Sequence, residues 1–152
     1  MINSGDRLRE AVLLHFTDTH LLQDTSAILR GVNTSASLDY VVELAKATSL
    51  SPDAIVITGD IAEDGSEGAY QRLLRSLKIF KASVRWVPGN HDNFSTMVAV
   101  AGKTSLSKKS LNLNNWQIFL VDSSTSGCIH GDISKTELDW LDFCLSSTPA
   151  GV

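Results

Sequence analysis

Hydrophobic residues occur in short runs that alternate with stretches of helical periodicity along most of the chain. The runs AVLLHF (11–16), AIVI (54–57) and VRWV (84–87) are nearly continuous, as is typical of strands buried on both faces. Between and after them, apolar residues recur at spacings of three and four, which predicts helices. These residues are Leu38, Val41, Val42 and Ala45 within 35–48, then Tyr70, Leu73, Leu74 and Leu77, then Phe94, Met97, Val98 and Ala101.

The β-α-β-α-β order predicts an α/β domain with a largely parallel sheet and helical crossovers. Beyond residue 101 the pattern changes. The runs SLNL (110–113) and WQIFLV (116–121) flank Asn114-Asn115, and this arrangement predicts a hairpin. Ser134 and Glu137 have the spacing of a capping box. They predict the start of a last helix whose buried stripe is Leu138, Leu141 and Leu145.

Polar side chains follow each of the first three predicted strands. The carboxyl ends of the strands are where ligands bind in open α/β sheets, so the three clusters should converge on one edge. Carboxylate, amide and imidazole groups are ligands for Mn, Fe or Zn ions. They indicate an oxygen and imidazole site rather than a thiolate site. The candidate residues are Asp18 and His20 after the first strand, Asp60 after the second, and Asn90, His91 and Asp92 after the third.

The spacing of these residues has a physical basis. In the D-x-H sequence just past a strand, Asp18 and His20 point to the same side while Thr19 points away. Gly59 and Gly89 allow the backbone to turn tightly and approach an ion. The two oxygens of the Asp60 carboxylate could bridge two metal ions.

Each motif alone has an ordinary structural interpretation. A single D-x-H or G-D sequence is typical of a solvated turn, and Asp92 or Asn93 could cap the helix that begins at 94. His15 is expected in the core, and Glu63 and Asp64 in a solvated acidic loop. His130 is expected in solvent, although a structural or substrate-rim role is an alternative. The three motifs in order, each after a buried strand, together predict a metal site.

Composition narrows the class of protein. The chain has 152 residues, of which 43% are hydrophobic and 20% charged, as is typical of a soluble domain with one core. No apolar run approaches the roughly 20 residues of a membrane span. The polar start MINSGDRLRE predicts no secretory signal and a cytoplasmic location. Cys128 and Cys144 match no metal or redox spacing. The net charge of -4 argues against a surface for duplex nucleic acid.

Taken together, D-x-H, G-D and G-N-H-D resemble the calcineurin-like metallophosphoesterase superfamily. The segments TDTHLL, RGVNT, TGDIAEDGS, PGNHD, LVDS and HGDIS resemble more closely its bacterial class III cyclic nucleotide phosphodiesterases, of the cyclic-AMP type. The resemblance extends over 12–146. It implies an α/β/β/α sandwich that binds two divalent metal ions, of Fe, Mn or Zn. The implied reaction is hydrolysis of a phosphodiester, 3',5'-cyclic AMP to 5'-AMP, by a hydroxide activated between the ions.

The resemblance also implies a role for each residue. Asp18, His20 and Asp60 would bind the first ion, and Asp60 with Asn90 the second. His91 would contact the substrate phosphate. Asp92 would orient His91 and fix its tautomer.

The chain departs from the family pattern in its later part. A further histidine after a strand and a Gly-His-x-His motif are missing from 1–152. The expectation is therefore the N-terminal part of one metallophosphoesterase domain, with the C-terminal half of the sandwich absent. An uncovered sheet face would favour self-association or pairing with the missing segment. The alternatives are a metal-binding or interaction remnant with little hydrolysis, or a metallophosphoesterase for phosphoproteins, nucleotides or nucleic acid.

Overall fold

The first sheet contains three parallel strands in the order in which they occur along the chain. A computed structural model describes residues 10–48, 51–125 and 127–149. Phe16 pairs with Ile57, and Ile57 pairs with Trp86, so β2 is the central strand. The elements of this part are β1 (Leu13–Phe16), α1 (Thr34–Ala47), β2 (Ala54–Thr58), α2 (Glu67–Leu77), a 3-10 turn (Lys78–Phe80), β3 (Ser83–Val87) and α3 (Phe94–Ala101). The predicted β-α-β-α-β order is confirmed.

The three helices cover one face of this sheet. Side chains alternate along a strand, so Ile55 and Ile57 of β2 face the helices while Ala54 and Val56 face the opposite side. Asn93 begins α3, because its Oδ1 accepts a hydrogen bond from Thr96 N. The residues of the helix-side core are mainly Phe16, Leu38, Val42, Tyr70, Leu73, Leu77, Trp86 and Met97.

A hairpin covers part of the other face. The antiparallel strands β4 (Ser110–Leu113) and β5 (Trp116–Phe119) form it, as predicted. Its core with the first sheet consists of Ala54, Val56, Val87, Leu111, Leu113 and Leu120.

The last helix, α4 (Lys135–Ser147), packs outside the hairpin. The Trp140 ring meets the Phe119 ring edge-on at 6.0 Å, and Lys109 Nζ lies 4.0 Å from the centre of the Trp140 ring. The order helices, sheet, hairpin, helix matches the predicted α/β/β/α layering.

Two burial predictions are wrong. The strand β1 is not buried on both faces, since Leu13 and His15 are exposed; the hairpin packs over Ala54, Val56 and Val87, which belong to β2 and β3. His15 is therefore not a core residue.

The stripe predicted for α4 is also exposed at Leu138 and Leu145. This helix instead contacts the hairpin through Trp140, and Glu137 reaches Lys109 just before β4. Ser134 does cap it, but Glu137 pairs with Lys109 at 2.6 Å rather than closing the capping box.

Among the described residues, no helix is both long enough and apolar enough to cross a bilayer.

We expect Trp140→Ala to lower the free energy of unfolding by about 2 kcal/mol, because it removes both the Phe119 ring contact and the Lys109 cation–π contact. Urea denaturation followed by circular dichroism measures this change. Trp116→Ala is the matched control, since Trp116 lies on the hairpin but is 65% exposed. Equal destabilisation by both substitutions would contradict the proposed contact between α4 and the hairpin.

Candidate metal centre

Three of the predicted ligands have left-handed backbone conformations. The φ angles are 52° at Asp18, 42° at His20 and 48° at Asp60. Residues other than glycine adopt this region at a cost of about 1–3 kcal/mol, and such residues cluster at functional sites. Hydrogen bonds between the loops hold the conformations in place. Asp18 N donates to Gly59 O at 3.2 Å, and His20 N donates to Asp60 O at 2.9 Å.

These turns bring potential ligand atoms together at the carboxyl edge of the sheet. His20 Nε2 lies 3.9 Å from Asp18 Oδ1 and 3.9 Å from Asp60 Oδ2. Both distances are too long for hydrogen bonds. They suit two atoms that each lie about 2.0–2.2 Å from a shared ion. One ligand atom from each of His20, Asp60 and His91 also lies within 4.8 Å of the others.

The loops after β2 and β3 are packed closely enough to fix the Asp60 carboxylate. A Cβ at Gly89 would lie 2.1 Å from Asp60 Oδ1, so only glycine leaves room for this side chain. His91 N donates to Asp60 Oδ1 at 3.1 Å, while Oδ2 faces His20. One carboxylate oxygen is thus anchored and the other faces the cluster, as a metal ligand requires.

Asn90 lies on the opposite side of this cluster from α1. It lines a cavity of about 410 Å³ between the sheet and the hairpin, together with Asp18 and Asp60. Its side chain has no hydrogen-bond partner among the described residues. His15 and His130 line the same cavity. His15 Nε2 lies 2.6 Å from Thr58 Oγ1. His130 is exposed, as expected from the sequence, and lies at the rim of this cavity.

Glu63 connects the two histidines of the cluster. Its Oε2 lies 2.8 Å from His20 Nδ1 and 3.2 Å from His91 Nδ1, and the two imidazole rings meet edge-on with centroids 5.1 Å apart. The Glu63 side chain is only 22% exposed, so the prediction that it is a solvated loop residue is wrong. By accepting from Nδ1, Glu63 leaves Nε2 of His20 free for an ion.

Sequence reasoning missed Glu63 although it follows Asp60 in the same loop. Glu63 reaches the cluster because its N donates to Leu21 O at 2.9 Å, next to His20, and no local sequence pattern predicts this contact between loops. The neighbouring Asp64 is exposed, as predicted, and accepts hydrogen bonds from Gln23 N and Ser66 N.

Asp92 has different partners from the one that the resemblance implied. Its carboxylate accepts hydrogen bonds from Ile61 N at 3.1 Å, Ala62 N at 2.9 Å and Gly89 N at 2.9 Å. Among the described residues there is no hydrogen bond between Asp92 and His91. The His91 ring instead has Glu63 Oε2 3.2 Å from its Nδ1, and Asp92 fastens the loops after β2 and β3 to each other.

Tyr70 of α2 completes the set of donors to Asp92. Its hydroxyl donates to Asp92 Oδ1 at 3.1 Å and accepts from Asn93 N at 2.8 Å. Burial, together with the nearby Asp92 charge, raises the pKa of Tyr70 above its usual value, although the Asn93 hydrogen bond opposes this. The phenol therefore keeps its proton at neutral pH and remains a donor.

The sequence is similar to those of known proteins. The sequence profile described as calcineurin-like phosphoesterase matches residues 11–150. The chain belongs to this family. Family members use divalent metals, and the donor set of His20, Asp60 and His91 fits such an ion.

Several curated proteins are similar to this family member. The 3',5'-cyclic adenosine monophosphate phosphodiesterase CpdA of Escherichia coli (strain K12) is 37% identical over 139 residues, which cover 90% of this chain and 50% of the relative. A 3',5'-cyclic-nucleotide phosphodiesterase of Nostoc sp. is 33% identical, covering 90% and 52%. A cAMP/cGMP dual specificity phosphodiesterase of Mycobacterium tuberculosis is 33% identical, covering 86% and 43%. The chain thus spans about half the length of the curated relatives it matches.

We expect Glu63→Ala to weaken Mn²⁺ binding by about 10–100-fold, because His20 and His91 lose the acceptor that orients their rings. Isothermal titration calorimetry measures the affinity. Asp64→Ala removes an adjacent acid that contacts neither histidine, and it should leave the affinity within about twofold. Similar affinities for the Glu63 variant and the wild type would contradict the orienting role.

We expect Asp92→Asn to lower the free energy of unfolding by about 2–4 kcal/mol, because one amide oxygen cannot serve all of the donors that meet the carboxylate. Urea denaturation tests this expectation. Asp142→Asn, at an exposed position of α4, should change the value by less than about 0.5 kcal/mol. A fully stable Asp92 variant would show that the loops are joined by other contacts.

Proposed function

We propose that this chain carries the metal-binding and phosphate-binding part of a phosphodiesterase that hydrolyses 3',5'-cyclic AMP to 5'-AMP. The observation that carries the proposal is that Asp18 Oδ1 and Asp60 Oδ2 each lie 3.9 Å from His20 Nε2, with His91 beside them. Its setting in a calcineurin-like phosphoesterase supports hydrolysis of a phosphate ester. The names of the relatives from Escherichia coli, Nostoc and Mycobacterium support a cyclic nucleotide as the substrate.

The proposed ligands divide between two divalent ions. Asp18, His20 and Asp60 would hold the first, and Asp60 with Asn90 would hold the second. When bound, such ions supply the positive charge that activates a water molecule and neutralises the phosphoryl oxygens. The protein contributes the fixed positions: Asp60 is held against Gly89, and His20 is held by Glu63.

In this proposal His91 acts on the substrate phosphate. Its Nδ1 lies 3.2 Å from Glu63 Oε2, so this side of the ring faces the carboxylate. The Nε2 atom then remains for the phosphate at the cluster edge. As water adds to phosphorus and the bond from phosphorus to O3' breaks, a proton held at Nε2 passes to O3'. The protonated O3' becomes the free hydroxyl of 5'-AMP.

We expect Asp60→Ala to reduce Mn²⁺-dependent hydrolysis at least about tenfold more than Asn90→Ala does. Asp60 carries charge and is the proposed bridge between the ions, whereas Asn90 is a neutral ligand of one. Hydrolysis of 3',5'-cyclic AMP and of bis(p-nitrophenyl) phosphate, with Mn²⁺ affinity measured in parallel, tests this division. Asp142→Ala serves as the acidic control.

Full activity in the Asp60 variant, or equal and complete loss in both variants, would contradict these roles. If the chain binds Mn²⁺ through Asp60 but hydrolyses neither ester, the catalytic proposal is refuted and only metal binding is supported.

A further inference from the structure

A second cavity of about 320 Å³ lies beside the metal cluster, on the side of α1. Asp18, His20 and Glu63 line this cavity on the side of the cluster. The remainder of its lining comes from β1 and the loop after it, from α1, and from the turn between Leu29 and Val32. We propose that this cavity binds the heterocyclic base of a nucleotide whose phosphate lies at the metal cluster. The position of the phosphate rests on the proposed function.

The lining combines the two kinds of surface that a base needs. A planar base has apolar faces and hydrogen-bonding edges, and pockets for such groups are mainly apolar with a few polar side chains. Phe16 and Leu38 are buried at the base of the cavity, whereas Val32 and Val41 are exposed at its rim. An acyl chain could not form hydrogen bonds with the polar groups, and a glycerol moiety could not cover the apolar walls. The polar residues of the lining outside the metal cluster are Thr17, Thr19, Arg30, Thr34 and Ser37.

A rigid turn presents Arg30 to this cavity. Leu29 N donates to Val32 O at 2.8 Å, and Val32 N donates to Leu29 O at 2.9 Å. Arg30 and Gly31 between them have φ angles of 48° and 88°, which defines a tight two-residue turn. Among the described residues the Arg30 guanidinium has no hydrogen-bond partner. The turn fixes the backbone at Arg30, and the exposed guanidinium can stack on an aromatic face or donate to ring nitrogens.

The size of the cavity also favours a single ring system. Small-molecule pockets range from about 300 to 1,000 Å³, and this one is at the lower end at about 320 Å³. A phosphoprotein substrate would instead need a groove that accommodates a peptide backbone. The cavity therefore favours a nucleotide over the phosphoprotein alternative.

Adenosine tests the cavity without phosphate or metal. Titration of the ¹⁵N-labelled chain with millimolar adenosine should shift the amide resonances of Thr34, Ser37 and Val41. Val41→Asp should abolish these shifts. Leu44→Asp is the matched control, because Leu44 is on the same helix and 56% exposed, compared with 44% for Val41, but does not line the cavity. If Val41→Asp unfolds the chain, Val41→Ser replaces it.

A second comparison connects the cavity to the metal cluster. In the presence of Mn²⁺, 5'-AMP should bind at least about tenfold more tightly than ribose 5-phosphate, a difference of about 1.4 kcal/mol. Val41→Asp should bring the two affinities together by weakening 5'-AMP alone. Equal affinities in the wild type, no adenosine shifts at the cavity, or equal effects of the Val41 and Leu44 variants would overturn the proposal. Adenosine shifts that Val41→Asp abolishes, without Mn²⁺-dependent binding of ribose 5-phosphate, would support the base site while refuting the proposed function.

Discussion

The carboxylate of Asp92 joins the parts of the molecule on which the metal cluster depends. Its two oxygens receive backbone hydrogen bonds from Ile61, Ala62 and Gly89, and a fourth from the Tyr70 hydroxyl. Hydrogen bonds to a charged acceptor contribute about 1.5–3 kcal/mol each, and buried donors left without a partner are costly. The loops after β2 and β3 are therefore held in one relative position. Asp60 can then lie against Gly89, and His91 can donate to it.

Much of the fold could be predicted because periodicity depends on local sequence. The alternation of Ile55 and Ile57 with Ala54 and Val56 follows directly from the geometry of a strand with two covered faces. The exposure of β1 and α4 could not be predicted in this way. An apolar run shows that a surface can be buried, but what covers it is decided by how far another layer extends. Here the hairpin covers β2 and β3, and one face of β1 is left exposed.

The candidate site also has features that could be predicted from the sequence and features that could not. The positions of Asp18, Asp60 and Asn90 followed from strand ends, which topology brings to one edge. The partners of Glu63 and Asp92 did not, because they depend on how the loops fold against each other. The pairing of Leu21 with Ile61 and Glu63 brings the Glu63 side chain to His20, over a separation of 43 residues. Asp92 is turned toward backbone donors from another loop rather than toward its neighbour His91. No local pattern in the sequence encodes either choice.

The left-handed conformations at Asp18, His20 and Asp60 restrict which amino acids can occupy these positions, even before an ion is considered. Asn, Asp and His are several-fold enriched in this region among residues other than glycine, whereas β-branched residues are outliers there. The residue types that the backbone tolerates thus overlap with the oxygen and imidazole donors that coordination requires. The backbone conformation and metal coordination restrict the same three positions independently. Fewer amino acids can therefore replace these residues at the candidate metal centre than either requirement alone would allow.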